Sequence, residues 1–424
     1  MSIEADSSTL VDVDWRRVAE PQADQYDTDI TLRLAKQRRY ERIDTGDAPT
    51  CCDGAIAMYN DGSVLTDCMP APLDHPNIEI GFELIRLWPK VFRQCQGLLD
   101  YVAPFLNPLT PRDQVIGSSC GPGAQGFGSV IATVNHHVGF AEAVVGEMSR
   151  HKLRALLGTD TETAGRLITN PAQRLYQSPI RYNLERPMSA VVQAQYSYTY
   201  VIALDLAILD DALDLERDRT VAKCSLAVIV PKLEFGRRVI AKHVQVDDAG
   251  AAFIVGLLDW VDRVVGRGYT VLDNLGIEPV AFEHPLSRRN QAKPPQVASR
   301  RSAGVPTAAV QSGVAAICSH VFAELSETPC RNQSIEEHPI REEMVLYCPT
   351  DEAAYALNSS SRAIWELCDG RRSVEEIAYT VLESLDCEEP DLLEALIREV
   401  VSTLQEFRGN RLIEIGARPS TATA

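Results

Sequence analysis

Glu147 and His151 stand four residues apart in GFAEAVVGEMSRHKLRALL, Gly139 to Leu157, whose apolar spacing predicts a long amphipathic helix from about Phe140. Residues at i and i+4 share a helix face, so this carboxylate and imidazole could act as an acid–base pair or hold a divalent metal. The bland alternative is a histidine satisfied by its own surroundings. His136 and His137 lie about 16 Å or more down a continuous helix from His151, too far to share its metal. Arg181 and Arg186 can clamp a carboxylate in bidentate fashion, or form structural salt bridges with Glu185 or Glu147. Cys120 begins Cys-Gly-Pro-Gly-Ala-Gln-Gly126, which contains a literal GxGxxG. Pro122 interrupts it and no βαβ pattern follows, so it does not read as a nucleotide site. Cys120 is a candidate nucleophile only with a histidine nearby, and a lone cysteine in a glycine turn is ordinarily inert.

The elements that must position these groups are mostly helical. Apolar spacing predicts a helix across Phe82 to Phe92, one from about Ser189 to Leu215 that is apolar in its middle, and one or two more from Val221 to Val265. Tyr196, Tyr198 and Tyr200 fall inside the apolar helix and read as packing, while Asp205, Asp210, Asp211 and Asp214 mark its solvated end. From Glu283 to Gly313, four prolines stand among five basic residues, the composition of a linker. Ala315 to Leu325 reads as a connecting helix. Beyond Pro339 the pattern is a strand at Met344 to Tyr347, a helix stopped by Asp369-Gly370, a second opened by the capping box Ser373-Val-Glu-Glu376, a third from Asp391 to Phe407, and a closing strand at Arg411 to Ile415. The expected organisation is an N-terminal extension over 1–50, a helical domain over 51–282, linker and connecting helix over 283–338, and a small domain over 339–424. The fold class is mainly α, with a winged-helix-like α+β C-terminal domain.

Composition excludes several functions. The 424 residues carry 41 Lys+Arg against 59 Asp+Glu, a net charge of −18, which opposes nucleic-acid and anionic-membrane binding and favours basic partners. The C-terminal winged-helix outline would suggest DNA, but Pro339 to Ala424 holds 8 Arg and no Lys against 17 acids. No apolar run is long enough to span a membrane and no signal peptide opens the chain, so a cytoplasmic protein is expected. Eleven scattered cysteines without a C-x2-C pair argue against a disulfide framework or zinc ribbon.

The segment YALNSSSRAIWELCDGRRSVEEIAYTVLES followed by LLEALIREVVSTLQEFRGNRLIEI resembles the PqqD-like peptide-recognition fold, with Leu357-Asn358, Ile364-Trp365, Asp369-Gly370, Val374 and Ile377 at that family's spacing. The resemblance implies a RiPP recognition element, which captures the leader of a ribosomally made precursor peptide. Physically that is strand addition at a sheet edge beside a helix groove. Met344, Val345, Leu346 and Tyr347 are the expected edge, and Leu393, Ile397 and Val400 the groove wall. A small structural or dimerisation domain is the plain alternative.

Cys51 to Val265, most strongly Gly117 to Leu209, is similar to the HExxH-motif family of peptide-modification proteins, some of them 2-oxoglutarate-dependent peptide β-hydroxylases. That resemblance implies two helix histidines and a later third ligand around a metal. Here Gly146 and Arg150 occupy the histidine positions, Glu147 is retained, and Gln193 stands at the third position. Glycine offers no donor and arginine a fixed positive charge, so no metal is expected. If Arg150 pairs with Glu147, its charge takes the metal's place.

Two readings stay open. One is a maturation protein that binds a precursor leader, its larger domain a scaffold or pseudoenzyme working with a partner enzyme or as a homodimer. The other is an active peptide-modifying enzyme, an oxygenase or hydroxylase using Fe(II) and 2-oxoglutarate through relocated ligands, or metal-free chemistry at Glu147, His151 or Cys120.

Overall fold

The computed structural model describes residues 13–42, 44, 46–59, 69–106, 118–119, 126–157, 167–180, 185–210, 216–280, 327–340, 343–350, 353–357, 359–384 and 390–417. The chain divides into two compact units, residues 1–292 with Pro339–Arg341, and residues 293–338 with 342–424. Ten α-helices among the described residues make the protein mainly α, as the periodicity predicts.

In the first unit the order is α1 (Tyr26–Gln37), β1 (Thr50–Cys51), β2 (Ile56–Met58), β3 (Met69–Pro70), α2 (Pro76–Arg86), α3 (Pro89–Leu98), β4 (Tyr101–Leu106), β5 (Ser118–Ser119), β6 (Ser129–Thr133), α4 (His137–Leu157), β7 (Leu175–Gln177), β8 (Glu185–Pro187), α5 (Met188–Asp210), α6 (Glu216–His243) and α7 (Asp248–Leu275). The expected helices form, except that the one expected across Phe82 to Phe92 is divided into α2 and α3 at Leu87–Trp88, before Pro89, and residues 211–215 of the one expected to reach Leu215 lie outside the described residues. Helix α4 is buried along nearly its whole length and packs against α1, α2, α3, α5 and β6. Helix α5 is apolar all round, with Tyr196 and Tyr200 fully buried, which is how a helix at the centre of a domain must read.

Two expectations need correction here. Residues 26–38 of the expected extension pack into the first unit: α1 buries Asp27, Ile30 and Thr31, and Arg38 donates from Nε to the Ala155 carbonyl (2.7 Å) and from Nη2 to that of Leu156 (2.9 Å), tying it to the end of α4. Asp205 does not mark a solvated end, being fully buried, whereas Asp210 is exposed and pairs with Arg267. A mixed sheet also escaped the periodicity. Its order is β1-β2-β4-β6-β5, with β3 against β4; β2, β4 and β6 run parallel.

The second unit contains β9 (Glu327–Arg331), β10 (Glu336–Ile340), β11 (Glu343–Cys348), β12 (Ala353–Leu357), α8 (Ser359–Leu367), α9 (Val374–Ser384), α10 (Pro390–Gly409) and β13 (Ile413–Ala417). Pro339 and Ile340 of β10 cluster with the first unit. Of the linker and connecting helix expected over 283–338, the last part is strand instead: Glu327–Arg331 pairs antiparallel with β13, and β10 begins at Glu336. The remainder of that linker and the helix expected over Ala315 to Leu325 lie outside the described residues. The capping box forms as predicted: Ser373 N donates to Glu376 Oε2 (2.8 Å) and Glu376 N to Ser373 Oγ (3.2 Å). One apolar core joins Met344, Leu346, Trp365, Ile377, Leu404 and Phe407, with Trp365 and Phe407 edge to face at 5.6 Å.

Candidate functional site

Strand β11 is not the edge that the sequence suggested. The order β10-β11-β12 places it in the middle of a three-stranded sheet, with Met344 opposite Leu357 and Cys348 opposite Ala353. Met344 and Leu346 point into the helical core, and Val345 and Tyr347 on the other face are buried as well. None of the four presents an edge to a ligand. Val400 is also core rather than groove wall, at 2% exposure among the same apolar cluster. Leu393 and Ile397 lie on α10, with side chains outside the described residues.

The edges belong to β10 and β12, and their chemistry differs. Strand β10 carries Glu336, Glu337 and Pro339, and proline cannot donate to a further strand. Glu337 Oε1 is committed inward, accepting from Trp365 Nε1 (3.1 Å) and Arg331 Nη1 (3.0 Å). Strand β12 reads Ala-Ala-Tyr-Ala-Leu, without charge or proline. Among the described strands it pairs with β11 alone. Natural edges are usually guarded by charge, proline or bulges, so a plain one invites a partner strand. The signal in the sequence was Ala353 to Leu357 itself, unremarked because three alanines carry little strand propensity.

In the first unit, α4 brings Glu147 and Arg150 together and leaves His151 apart from them. Glu147, 1% exposed, accepts at Oε1 from Arg150 Nη1 (2.6 Å) and from Ser118 Oγ (2.7 Å); its Oε2 is buried, with no hydrogen-bond partner among the described residues. His151 is fully buried. Its Nε2 lies 2.7 Å from the Ser129 carbonyl, and Gly128 N donates to Nδ1 at 3.4 Å, which fixes a neutral ring with its proton on Nε2. Burial pushes its pKa down to about 4, with the Ser129 contact opposing. Gly128 is needed for this contact, because its φ is +91° and a Cβ there would stand 2.7 Å from the Leu98 carbonyl oxygen. The acid–base pair suggested by spacing is thus not assembled.

A divalent metal does not fit these residues. Gly146 has no donor, Arg150 is bonded to Glu147, and both His151 nitrogens are taken by backbone. A Cβ at Gly146 would meet Val201, eight residues and about 12 Å of helix rise from Gln193. Among the described residues no cluster of three His, Cys, Asp or Glu side chains could hold a metal ion. Arg186 is half-buried on β8, opposite Tyr176 of β7. Arg181, Cys120 and the GxGxxG stretch before Gly126 lie outside the described residues.

Sequence reasoning missed a fully buried ion pair. Lys152 and Asp27 pair at 2.6 Å with both side chains at 0% exposure. Lys152 also donates to Tyr200 Oη (2.9 Å), Tyr200 donates to Gln94 Oε1 (3.1 Å), and Gln94 Nε2 bonds Asp27. Burial works against the Lys152 charge, but Tyr196 and Asp27 outweigh it and raise its pKa. The network joins α1, α3, α4 and α5 through side chains that are all buried.

Residues 343–413 match the family described as Coenzyme PQQ synthesis protein D (PqqD), a span from β11 to the start of β13. The second unit therefore carries a PqqD domain. No family match supports the HExxH likeness of the first unit, and no curated protein matches the chain. No helix among the described residues is long and apolar enough to cross a membrane.

Proposed function

We propose that the chain is a cytoplasmic maturation protein for a ribosomally made peptide, holding the precursor's leader as an added strand on β12. The unguarded edge of Ala353–Leu357 within a PqqD domain carries this reading. Backbone groups of the edge would supply affinity, and the small alanine side chains would let a second strand approach closely. The 17 acids against 8 arginines from Pro339 to Ala424 favour a basic leader. The first unit serves as scaffold or pseudoenzyme, meeting the core peptide or a partner enzyme. What supports this part is the Arg150–Glu147 ion pair standing where a metal would need open donors.

The test is a proline scan of Ala353 to Ala356 against a panel of fluorescent basic leader-like peptides. Proline at positions whose N–H points away from β11 should abolish binding while circular dichroism stays unchanged. Undiminished binding in every folded proline variant would refute strand addition at β12. An active peptide-modifying enzyme is the second reading, favoured by the joining of a PqqD domain to a larger helical unit in one chain. It would have to work without metal at the residues described.

A further inference from the structure

Cys51 ends β1 and Cys52 opens the tight turn that returns the chain to β2, where Cys51 pairs with Ile56. Cys52, Asp53 and Gly54 have φ of 54°, 57° and 86°, three successive residues in the left-handed region. Both cysteines are free and half-exposed. Arg86 of α2 stands over the turn, its Nη2 3.7 Å from Asp53 Oδ2, and it also bonds Glu83. Proximity of the Cys51 thiol, with help from Arg86, holds the Cys52 thiol below its usual range, against burial and the carboxylates of Glu83 and Asp53, while Cys51 Sγ donates across the turn to the Ile56 carbonyl (3.6 Å). The same proximity raises Cys51, so one sulfur is the better nucleophile and its neighbour keeps its proton. Cys95, nearby on α3, is fully buried and protonated.

We propose that Cys51 and Cys52 form a hydroperoxide-sensitive dithiol that closes reversibly to a vicinal disulfide. The Cys52 thiolate attacks one peroxide oxygen; an S–O bond forms, the O–O bond breaks, and the other oxygen leaves as alcohol or water after taking a proton. The Cys51 sulfur then displaces hydroxide from the Cys52 sulfenic acid. An S–S bond forms, the S–O bond breaks, and the Cys51 proton leaves with the hydroxide as water. Two thiols lose two electrons and the hydroperoxide gains them. Adjacent Cα atoms lie about 3.8 Å apart, shorter than the usual disulfide span of about 4.4–6.8 Å, so the ring is strained and readily reduced. A strained, accessible disulfide is a labile one, suited to switching rather than stapling.

The full-length reduced chain is treated with hydrogen peroxide, blocked, and digested before aspartate, which isolates Asp47–Cys52 with no other cysteine. That peptide should lose two hydrogens in mass and regain them with dithiothreitol. Cys51→Ser should leave Cys52 trapped by dimedone as a sulfenic acid, and Cys52→Ser and Arg86→Gln should each slow oxidation at the pair, the former about tenfold or more. Circular dichroism identical to wild type would show that these variants fold. The proposal fails if Asp47–Cys52 keeps its mass, if either sulfur links to Cys95 instead, or if the urea-unfolded chain forms the pair as fast as the native one.

Discussion

Replacing Lys152 with methionine should destabilise the first unit by about 3–5 kcal/mol, the cost of breaking a buried ion pair from one side. The structure explains why the value belongs at the large end. Asp27 would remain at 0% exposure, its charge shared only by Gln94 Nε2 and the backbone N–H of Gln22 (3.2 Å). Tyr200 would lose its donor at the same time. Removing both charges, as in Lys152→Met with Asp27→Leu, leaves neutral groups short of partners and no buried ion, so the double variant should be more stable than Lys152→Met alone. Urea unfolding followed by tryptophan fluorescence reads this directly, because Trp88 and Trp260 sit 5.9 and 5.0 Å from the Tyr200 ring. A Trp365→Phe background silences the second unit. The folded pKa of Lys152 is raised, so the pair's contribution is complete below the ordinary lysine range and fades only as pH climbs through the raised value. A Lys152→Met cost under about 1 kcal/mol, or a double variant losing the sum of the two singles, would refute the ion pair as a structural anchor.

His151 should make the first unit sensitive to acid. Its folded pKa of about 4 lies below the unfolded value near 6.5, so the unfolded chain binds the extra proton and about 3 kcal/mol of stability is lost between those pH values. Urea midpoints across that range should fall for the wild type and stay flatter for His151→Gln. Wild-type protein incubated with Fe(II) or Zn(II) and desalted should carry no stoichiometric metal, while Gly146→His with Arg150→His should gain it. Metal in the wild type that is lost on Glu147→Ala would overturn the scaffold reading. Gly128→Ala should cost about 2 kcal/mol or more, because the new Cβ meets the Leu98 carbonyl oxygen at 2.7 Å and the backbone is left-handed; thermal unfolding checks this, and an unchanged midpoint would show that the turn relaxes.

Local signals made much of the architecture legible. The 3.6-residue apolar repeat locates α4 and α5, and reciprocal capping at Ser373 and Glu376 fixes the start of α9. What stayed hidden depends on distant partners. Strands β1 to β6 are two to six residues long, and β2 meets β4 across more than forty residues of chain, so no window contains both. The true sheet edge is alanine-rich, and only its pairing with Met344 to Cys348 makes it a strand. Asp27 and Lys152 are 125 residues apart, and each reads alone as an ordinary surface charge. The pairing of Arg150 with Glu147 was foreseeable because i,i+3 neighbours meet on any helix. The capture of both His151 nitrogens by Ser129 and Gly128 was not, since it requires the fold of β6 against α4.

The antiparallel pairing of β9 with β13 sets Glu327 directly opposite Ala417, so the first and last described residues of the second unit are neighbours about one strand spacing apart. A module whose entry and exit coincide can be spliced into a surface loop of another protein without stretching its host. The same closure determines how it can be trimmed. A fragment cut to residues 343–413 would lose β9 and all of β13 but Ile413 and deprive Trp365 of Glu337, whereas one running from Glu327 to Ala417 keeps them and should be the smallest portable form.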